Sequence, residues 1–234
     1  MDIKEEAALG ELADRHWYYR AKAAALEAML PRTFNGRVMD VGAGSGFFSR
    51  HLAKRGLIAE ALCIDPGYGR ERDETVNGAV IRYRRSPEPM DAGVALFMDV
   101  LEHVPDDAGL LSAYRPLLPP DARAIITVPA FAFLWSGHDV FLEHHRRYTR
   151  RGLDRTIARA DYRLVESFYY YGLVLPAAAA SRLFAPDRME AKSAVRPHGA
   201  LVNGILHAAS TIERPFMRLN KIAGLTVCGI CTPS

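Results

Sequence analysis

The segment Val38-Met39-Asp40-Val41-Gly42-Ala43-Gly44-Ser45-Gly46 decides how this chain is read. A short apolar run, an acid and then alternating glycines read as a buried strand that ends in a tight turn. Glycine is the residue that lets a backbone adopt left-handed φ and lets a ligand approach it closely. Phe47, Phe48, His51 and Leu52 follow at helical spacing, and Gly56 supplies a stop. Strand, glycine turn and helix N-terminus together make a cradle for a nucleotide or an anion. Spacing narrows the choice. A dinucleotide fingerprint requires a third glycine where Phe47 stands, and a Walker loop requires a Gly-Lys-Ser/Thr that is absent.

The chain has 234 residues, 49% of them hydrophobic and 24% charged, which fits one large globular domain with a sizeable core. A net charge of +3 does not suggest a nucleic-acid coat. The acidic start Met1 to Glu6 has no apolar h-region, and no run reaches the roughly 18–20 apolar residues of a membrane span. With only 3 cysteines, a cytoplasmic location is expected. Cys228 and Cys231 fall in a strand-like run, where positions i and i+3 face opposite sides, so they read as two packed thiols.

Further strands are expected at 59–64, 80–83, 94–98, 124–128, 164–170 and 225–230, with 67–78 as a loop. Strands and helices alternate from 38 to 128, which argues for a doubly wound parallel sheet. Such sheets bind ligands at the carboxyl ends of their strands, where Gly42–Gly46, Asp65, Asp99 and Pro129 all fall. Asp65-Pro66 closes the second strand, the position of a carboxylate that accepts from two ribose hydroxyls.

Three segments carry a resemblance to a known family. Asp40-x-Gly42-x-Gly44-x-Gly46 resembles the first motif of class I S-adenosylmethionine-dependent methyltransferases. Asp99-Val100-Leu101-Glu102-His103-Val104 resembles the motif after the fourth strand in the type 11/type 23 families. Trp135-Ser136-Gly137-His138-Asp139 with His144-His145-Arg146-Arg147-Tyr148-Thr149, together with His16 to Arg20, resembles bacterial methyltransferases linked to glycolipid, polysaccharide and natural-product pathways. The likeness covers 10–172.

The resemblance implies one α/β domain, a Rossmann-like, doubly wound, seven-stranded and mostly parallel sheet. Residues 1–34 would be a helical cover, 35–172 the cofactor-binding core, 173–222 a helical insertion and 223–234 the last strand. The implied cofactor is S-adenosyl-L-methionine, with S-adenosyl-L-homocysteine as product. Gly42, Ala43 and Gly44 would approach it, and Asp65 and Pro66 would meet the ribose. Met98, Asp99, Val100 and His103 would lie at the methionine end. The acid that usually meets the adenine is replaced here, leaving Ser86 or backbone groups. Asp40 either adds to an acidic setting for the cation or holds the glycine loop. Trp17 to Arg20, with Tyr18 and Arg20 as the expected contacts, belong either to a lid over the cofactor or to a packed cover.

If the acceptor is a hydroxyl, a histidine is the expected base. His138 comes first, then His144, with Tyr148 nearby, while His103 reads as structural. No metal is expected, because His138, Asp139, His144 and His145 match no standard zinc spacing. The basic region 173–222 reads as a cap, a homodimer surface or an amphipathic face lying on a membrane near a lipid-linked acceptor. The leading function is O-methylation of a small-molecule, sugar or glycolipid acceptor. The alternatives are a binding protein that keeps the fold without transfer, and an RNA or protein methyltransferase.

Overall fold

The computed structural model describes residues 15–183, 189–191 and 199–234. Two expectations, a first short helix before residue 15 and the loop around Pro186, lie outside the described residues.

An eight-stranded mixed sheet forms the centre, in the order β3-β4-β2-β1-β5-β6-β8-β7. Its strands are β1 (Gly36–Val41), β2 (Ile58–Ile64), β3 (Arg72–Val76), β4 (Ala79–Arg84), β5 (Val94–Met98), β6 (Arg123–Pro129), β7 (Tyr162–Tyr170) and β8 (Thr226–Pro233). β4, β2, β1, β5 and β6 run parallel; β3, β8 and β7 pair antiparallel to their neighbours. The strand order turns around between β1 and β5, so the crevice at their carboxyl ends is the expected ligand site.

One strand more than the sequence reading expected is present. β3 lies inside the stretch read as a loop, and Asn77 (φ 50°) with Gly78 (φ 83°) turns it into a hairpin with β4. Asn-Gly is a strong hairpin signal. It is hard to notice here because β3 sits at the sheet edge with an exposed, polar sequence and no apolar alternation.

Helices cover both faces. α1 (Trp17–Met29) and α2 (Phe47–Lys54) lie on one, where Trp17, Leu26, Phe48 and Leu52 join Val38, Ile81 and Cys228 in the core. On the other, α3 (Asp107–Tyr114) and α5 (Arg150–Arg159), with the short α4 (Gly137–Phe141) between them in sequence, bring Leu111, Leu153 and Ile157 against Met39, Phe97 and Cys231. Cys228 and Cys231 thus belong to opposite layers, as the strand periodicity requires. Each buried Phe or Leu in these layers contributes about 1.5–3 kcal/mol by leaving water. Side chains cap the helices where expected: Asp106 accepts from Gly109 N at 2.9 Å and Thr149 from Gly152 N at 3.1 Å.

The insertion forms α6 (Leu175–Leu183) and α7 (Ala200–Glu213). Its inner side closes over the sheet end, with Ala177, Ala178, Val202 and Leu206 forming a cavity wall. This is the cap reading. The outward side of α7 exposes Leu201, Ile205 and Ile212. Among the described residues, no helix is long and apolar enough to cross a membrane.

The glycine turn leaves little room for change. Gly46 has φ 74°, and a Cβ there would stand 2.6 Å from the Tyr83 hydroxyl. Gly46→Ala combines left-handed strain with that clash and is expected to lower stability by about 1–3 kcal/mol, read from thermal or urea unfolding. An unchanged midpoint would contradict this geometry.

Candidate active site

The turn after β1 is bent by Gly42 (φ 62°), Gly44 (φ 53°) and Gly46 (φ 74°). Asp40 beneath it is buried and accepts from Ser49 Oγ at 2.7 Å, so it ties the turn to α2. Burial pushes its carboxyl up to about 6, against the pull of Ser49. Of the two roles expected for Asp40, loop holding is the one its contacts describe. Ala43 is buried and donates its N–H to Ile64 O at 3.1 Å. Asp65 accepts from Gly44 N at 3.0 Å and from Gly67 N at 2.8 Å. It therefore joins the β1 turn to the end of β2 while staying partly open to solvent.

Asp99, at the end of β5, takes φ 56°, an uncommon conformation for a residue with a Cβ. Thr127 Oγ1 donates to it at 3.1 Å, and Lys22 from α1 makes a close ion pair with it. Lys22 is fully enclosed. Burial alone would lower its pKa, but Asp99 and the Tyr18 hydroxyl overcome this and hold it charged. Burial likewise works against the Asp99 carboxylate, and Lys22 keeps it below the ordinary range. Val100 follows, its methyl groups filling the space beside Gly42, where any Cβ would meet them at 2.8 Å.

Beside this pair lies a cavity of about 410 Å³. Tyr18, Met98, Asp99 and His103 line it, as do His138 and His144. The two histidines arrive from the far end of the chain's core because the 131–149 loop is fastened to the sheet. Phe131 N donates to Tyr148 O and Tyr148 N to Pro129 O, both at 2.8 Å, while His145 N donates to Glu102 O at 2.7 Å. Asp139 organises the loop. Its carboxylate takes both prongs of the Arg147 guanidinium at 2.7 and 3.0 Å, the Ser136 N–H at 2.9 Å and His144 Nδ1 at 3.0 Å. Burial opposes that charge, but His144 and Arg147 hold it far below the usual range. An ionised carboxylate only accepts, so Nδ1 carries a proton, and in the neutral imidazole it is Nε2 that presents a lone pair.

His138 is enclosed more than its surroundings favour for a charge. Burial, with Arg182 next in effect, lowers it to about 3, so it stays neutral and is a weak base. His138 is the first of the two expected as a base, and this burial weighs against it. Tyr148 does not reach the cavity wall. Its hydroxyl donates to Asp107 Oδ2 at 2.9 Å and contacts Leu101 O at 3.2 Å, deep in the other layer. Asp107 also accepts from Thr156 Oγ1 at 3.1 Å and Arg159 at 2.9 Å. Tyr148 is a core residue that helps anchor the loop.

Arg20 is exposed and faces a separate basic groove with Arg50, His51 and Arg214, so it forms no part of a lid on this cavity. Pro66 and Ser86 are exposed at the ends of β2 and β4, beyond the cavity wall. Two residues, Lys22 and Glu102, went unremarked as site residues in the sequence, while Trp17 is read there with the lid or cover. Lys22 looks like an ordinary surface charge on a helix. Trp17 lines the cavity with its Nε1–H buried and unpaired. Glu102 lies inside a quoted motif, yet burial and the nearby Asp99 raise its carboxyl well above the ordinary range.

An α/β sheet with this order, glycine turn and strand-end acids is the architecture of class I S-adenosylmethionine-dependent methyltransferases. A family model described as a methyltransferase domain (Methyltransf_23) matches residues 15–167, and the chain belongs to that family. It is 30% identical over 150 residues to a ubiquinone biosynthesis O-methyltransferase of Acinetobacter baumannii, covering 54% of this chain and 62% of that one. A Xylella fastidiosa protein of the same name is 33% identical over 107 residues, covering 39% and 41%. The chain thus spans less than two thirds of these relatives. Among solved structures, a chain from the Haloferax volcanii complex containing the Trm112 methyltransferase activator aligns with TM-score 0.60 at 17% identity, covering 99% and 98%. Geranyl diphosphate methyltransferase in complex with SAM aligns with TM-score 0.58 at 12% identity, covering 92% and 86%. These likenesses show the fold.

The residues fit this cofactor. Three left-handed glycines bring the backbone to the crevice, Asp65 keeps acceptor capacity at the ribose position, and the unpaired Trp17 N–H offers a donor to a carboxylate.

Two substitutions separate support from chemistry. Lys22→Met removes the ion-pair partner of Asp99 and leaves it the Thr127 hydroxyl. Because the Asp99 side chain keeps 30% exposure, the expected loss is about 2–3 kcal/mol, below that of a fully enclosed pair. Tyr148→Phe is expected to cost about 1–2 kcal/mol in unfolding while leaving kcat within twofold; a collapse of kcat at intact stability would restore its catalytic reading.

Proposed function

We propose that this protein moves a methyl group from S-adenosylmethionine to a hydroxyl of a small, largely apolar acceptor. The sulfonium supplies an activated methyl, so the protein's part is to bind, align and exclude water. The observation that carries the reading is the shared wall. Met98 and Asp99, at the expected methionine end, line the same cavity as His144, whose free Nε2 is fixed by Asp139. Trp17, Tyr19, Phe48, Leu142, Val174 and Leu206 make the remaining wall mostly apolar, which suits an aromatic or isoprenoid-like body. Arg182 lines it too and, among the described residues, makes no ion pair, so an anionic group on the acceptor would find a partner there. The relatives named as O-methyltransferases support oxygen as the acceptor atom.

Other acceptors have less support. Arg151 and Arg155 are exposed on α5, outside the cavity wall, and Arg159 is paired with Asp107. Among the described residues these arginines therefore form no basic track to the cavity wall, as an RNA substrate would need.

Calorimetric titration with S-adenosylmethionine is the direct test. The wild type is expected to bind, and Asp65→Ala to weaken binding at least about tenfold, roughly 1.4 kcal/mol. With an acceptor in hand, His144→Ala is expected to lower kcat about 10²-fold with little change in cofactor affinity. No binding by wild type, or equal binding by Asp65→Ala, would contradict the reading.

The outward face of α7 favours one extension. Leu201, Ile205 and Ile212 continue into exposed Phe216, Leu219 and Ile222, with Arg218 and Lys221 beside them. Such a face suits a lipid surface carrying the acceptor. Co-sedimentation with anionic vesicles, lost in Ile205→Glu/Ile212→Glu, is the expected outcome. A chain that ignores vesicles and doubles its mass in light scattering would assign the face to a homodimer instead.

A further inference from the structure

In the cavity wall, Glu102, His103 and His144 each offer one potential ligand atom, and these atoms all lie within 4.8 Å of one another. We propose that they hold a divalent first-row cation, which binds the reacting oxygen of the acceptor. This rests on the hydroxyl-methyltransferase reading above and specifies how the histidine cluster acts on that hydroxyl.

The first observation is the state of Glu102. The residue is completely buried, yet among the described residues neither carboxylate oxygen has a hydrogen-bond partner. A buried carboxyl group without partners is costly, and proteins rarely keep one unless something satisfies it. Its backbone is firmly placed, since Glu102 O accepts from His145 N at 2.7 Å. That bond also draws the 144–147 segment down onto Glu102.

The second observation is independent and concerns His144. Its Nδ1–H faces Asp139, and Asp139 is fixed by the Arg147 fork and the Ser136 N–H. A histidine that gives one ring N–H to an anchored carboxylate has its other nitrogen oriented and made more basic. This is the usual support behind a metal-binding imidazole. The His103 and His144 rings stand edge to face with centroids 4.6 Å apart, so both belong to one pocket rather than to separate surfaces. Ligands about 2.1 Å from one ion stand roughly 3–4 Å apart. Small side-chain rotations therefore bring the three together.

Two imidazoles and one carboxylate suit zinc, manganese, iron or cobalt better than magnesium or calcium, which prefer all-oxygen sets. Three protein ligands leave open positions, the arrangement of a site that takes a substrate rather than one that only holds structure. A hydroxyl bound at an open position gives its proton to solvent more readily, and the resulting oxyanion is the better nucleophile. Its lone pair forms the new C–O bond as the C–S bond breaks, and that bonding pair stays on sulfur, giving the thioether. The sequence could not show this set. Glu102 and His103 are neighbours, but His144 lies 41 positions further on and meets them only through the folded loop.

Cobalt(II) alone, added to the chelator-treated full-length chain, is the probe. One equivalent is expected to bind with visible ligand-field absorption, and zinc is expected to displace it. Glu102→Gln and His103→Ala are each expected to lose at least about tenfold in cobalt affinity, and Asp139→Asn a similar factor through His144. Asp65→Ala should keep the cobalt spectrum while losing S-adenosylmethionine, which separates the two sites. Wild type that binds S-adenosylmethionine but shows no cobalt band, or a band unchanged in both Glu102→Gln and His103→Ala, overturns the cation site and leaves the methyltransferase reading intact. Wild type that binds cobalt but no S-adenosylmethionine overturns the reading on which the proposed role rests.

Discussion

The ion pair between Lys22 and Asp99 is the contact on which the site's shape depends. An ammonium with 2% exposure would not stay charged in this interior without a carboxylate against it. The pair fixes the middle of α1 to the end of β5, across 77 positions of sequence. With that point held, Tyr18 and Trp17 become cavity walls, and Tyr171 can donate its hydroxyl to Tyr18 O at 2.9 Å. Asp99 in turn is held in a left-handed conformation that an unsupported aspartate would leave. The N-terminal cover is therefore structurally part of the catalytic end of the sheet.

The opposite wall is built by a similar device at a different place. Asp139 gathers Arg147, Ser136 and His144, while Asp107 gathers Tyr148, Thr156 and Arg159. Each carboxylate satisfies several donors, so neither is left as an isolated buried charge. Between them they pin a loop that has little regular structure to the ends of β6 and α3. Histidines on a free loop would not be placed to within the tolerance that transfer chemistry demands.

Much of this architecture is legible in the sequence, for specific reasons. The β1 turn shows itself because three left-handed positions need glycine, and Asp65 and Asp99 because strand ends are marked by apolar runs stopping at an acid. The cysteine pair resolves by simple strand periodicity. What could not be read is set by tertiary encounters. Lys22 becomes a buried partner only once α1 meets β5, and Tyr148 becomes structural only because Asp107 lies behind it. The order of His138 and His144 depends on which imidazole Asp139 reaches. β3 escaped because an exposed edge strand carries no apolar alternation.

The glycine turn, the two fastened walls and the apolar cap support the proposed geometry, in which a donor would lie along the carboxyl ends of β2, β1 and β5 with its methyl end toward His144. A crystal structure of the chain grown with S-adenosyl-L-homocysteine tests this most directly. The ribose hydroxyls are expected on Asp65, the amino-acid end beside Trp17 and Asp99, and the sulfur facing the histidine cavity. A ligand seated in the Arg20–Arg214 groove, or one that leaves Asp65 untouched, would contradict it.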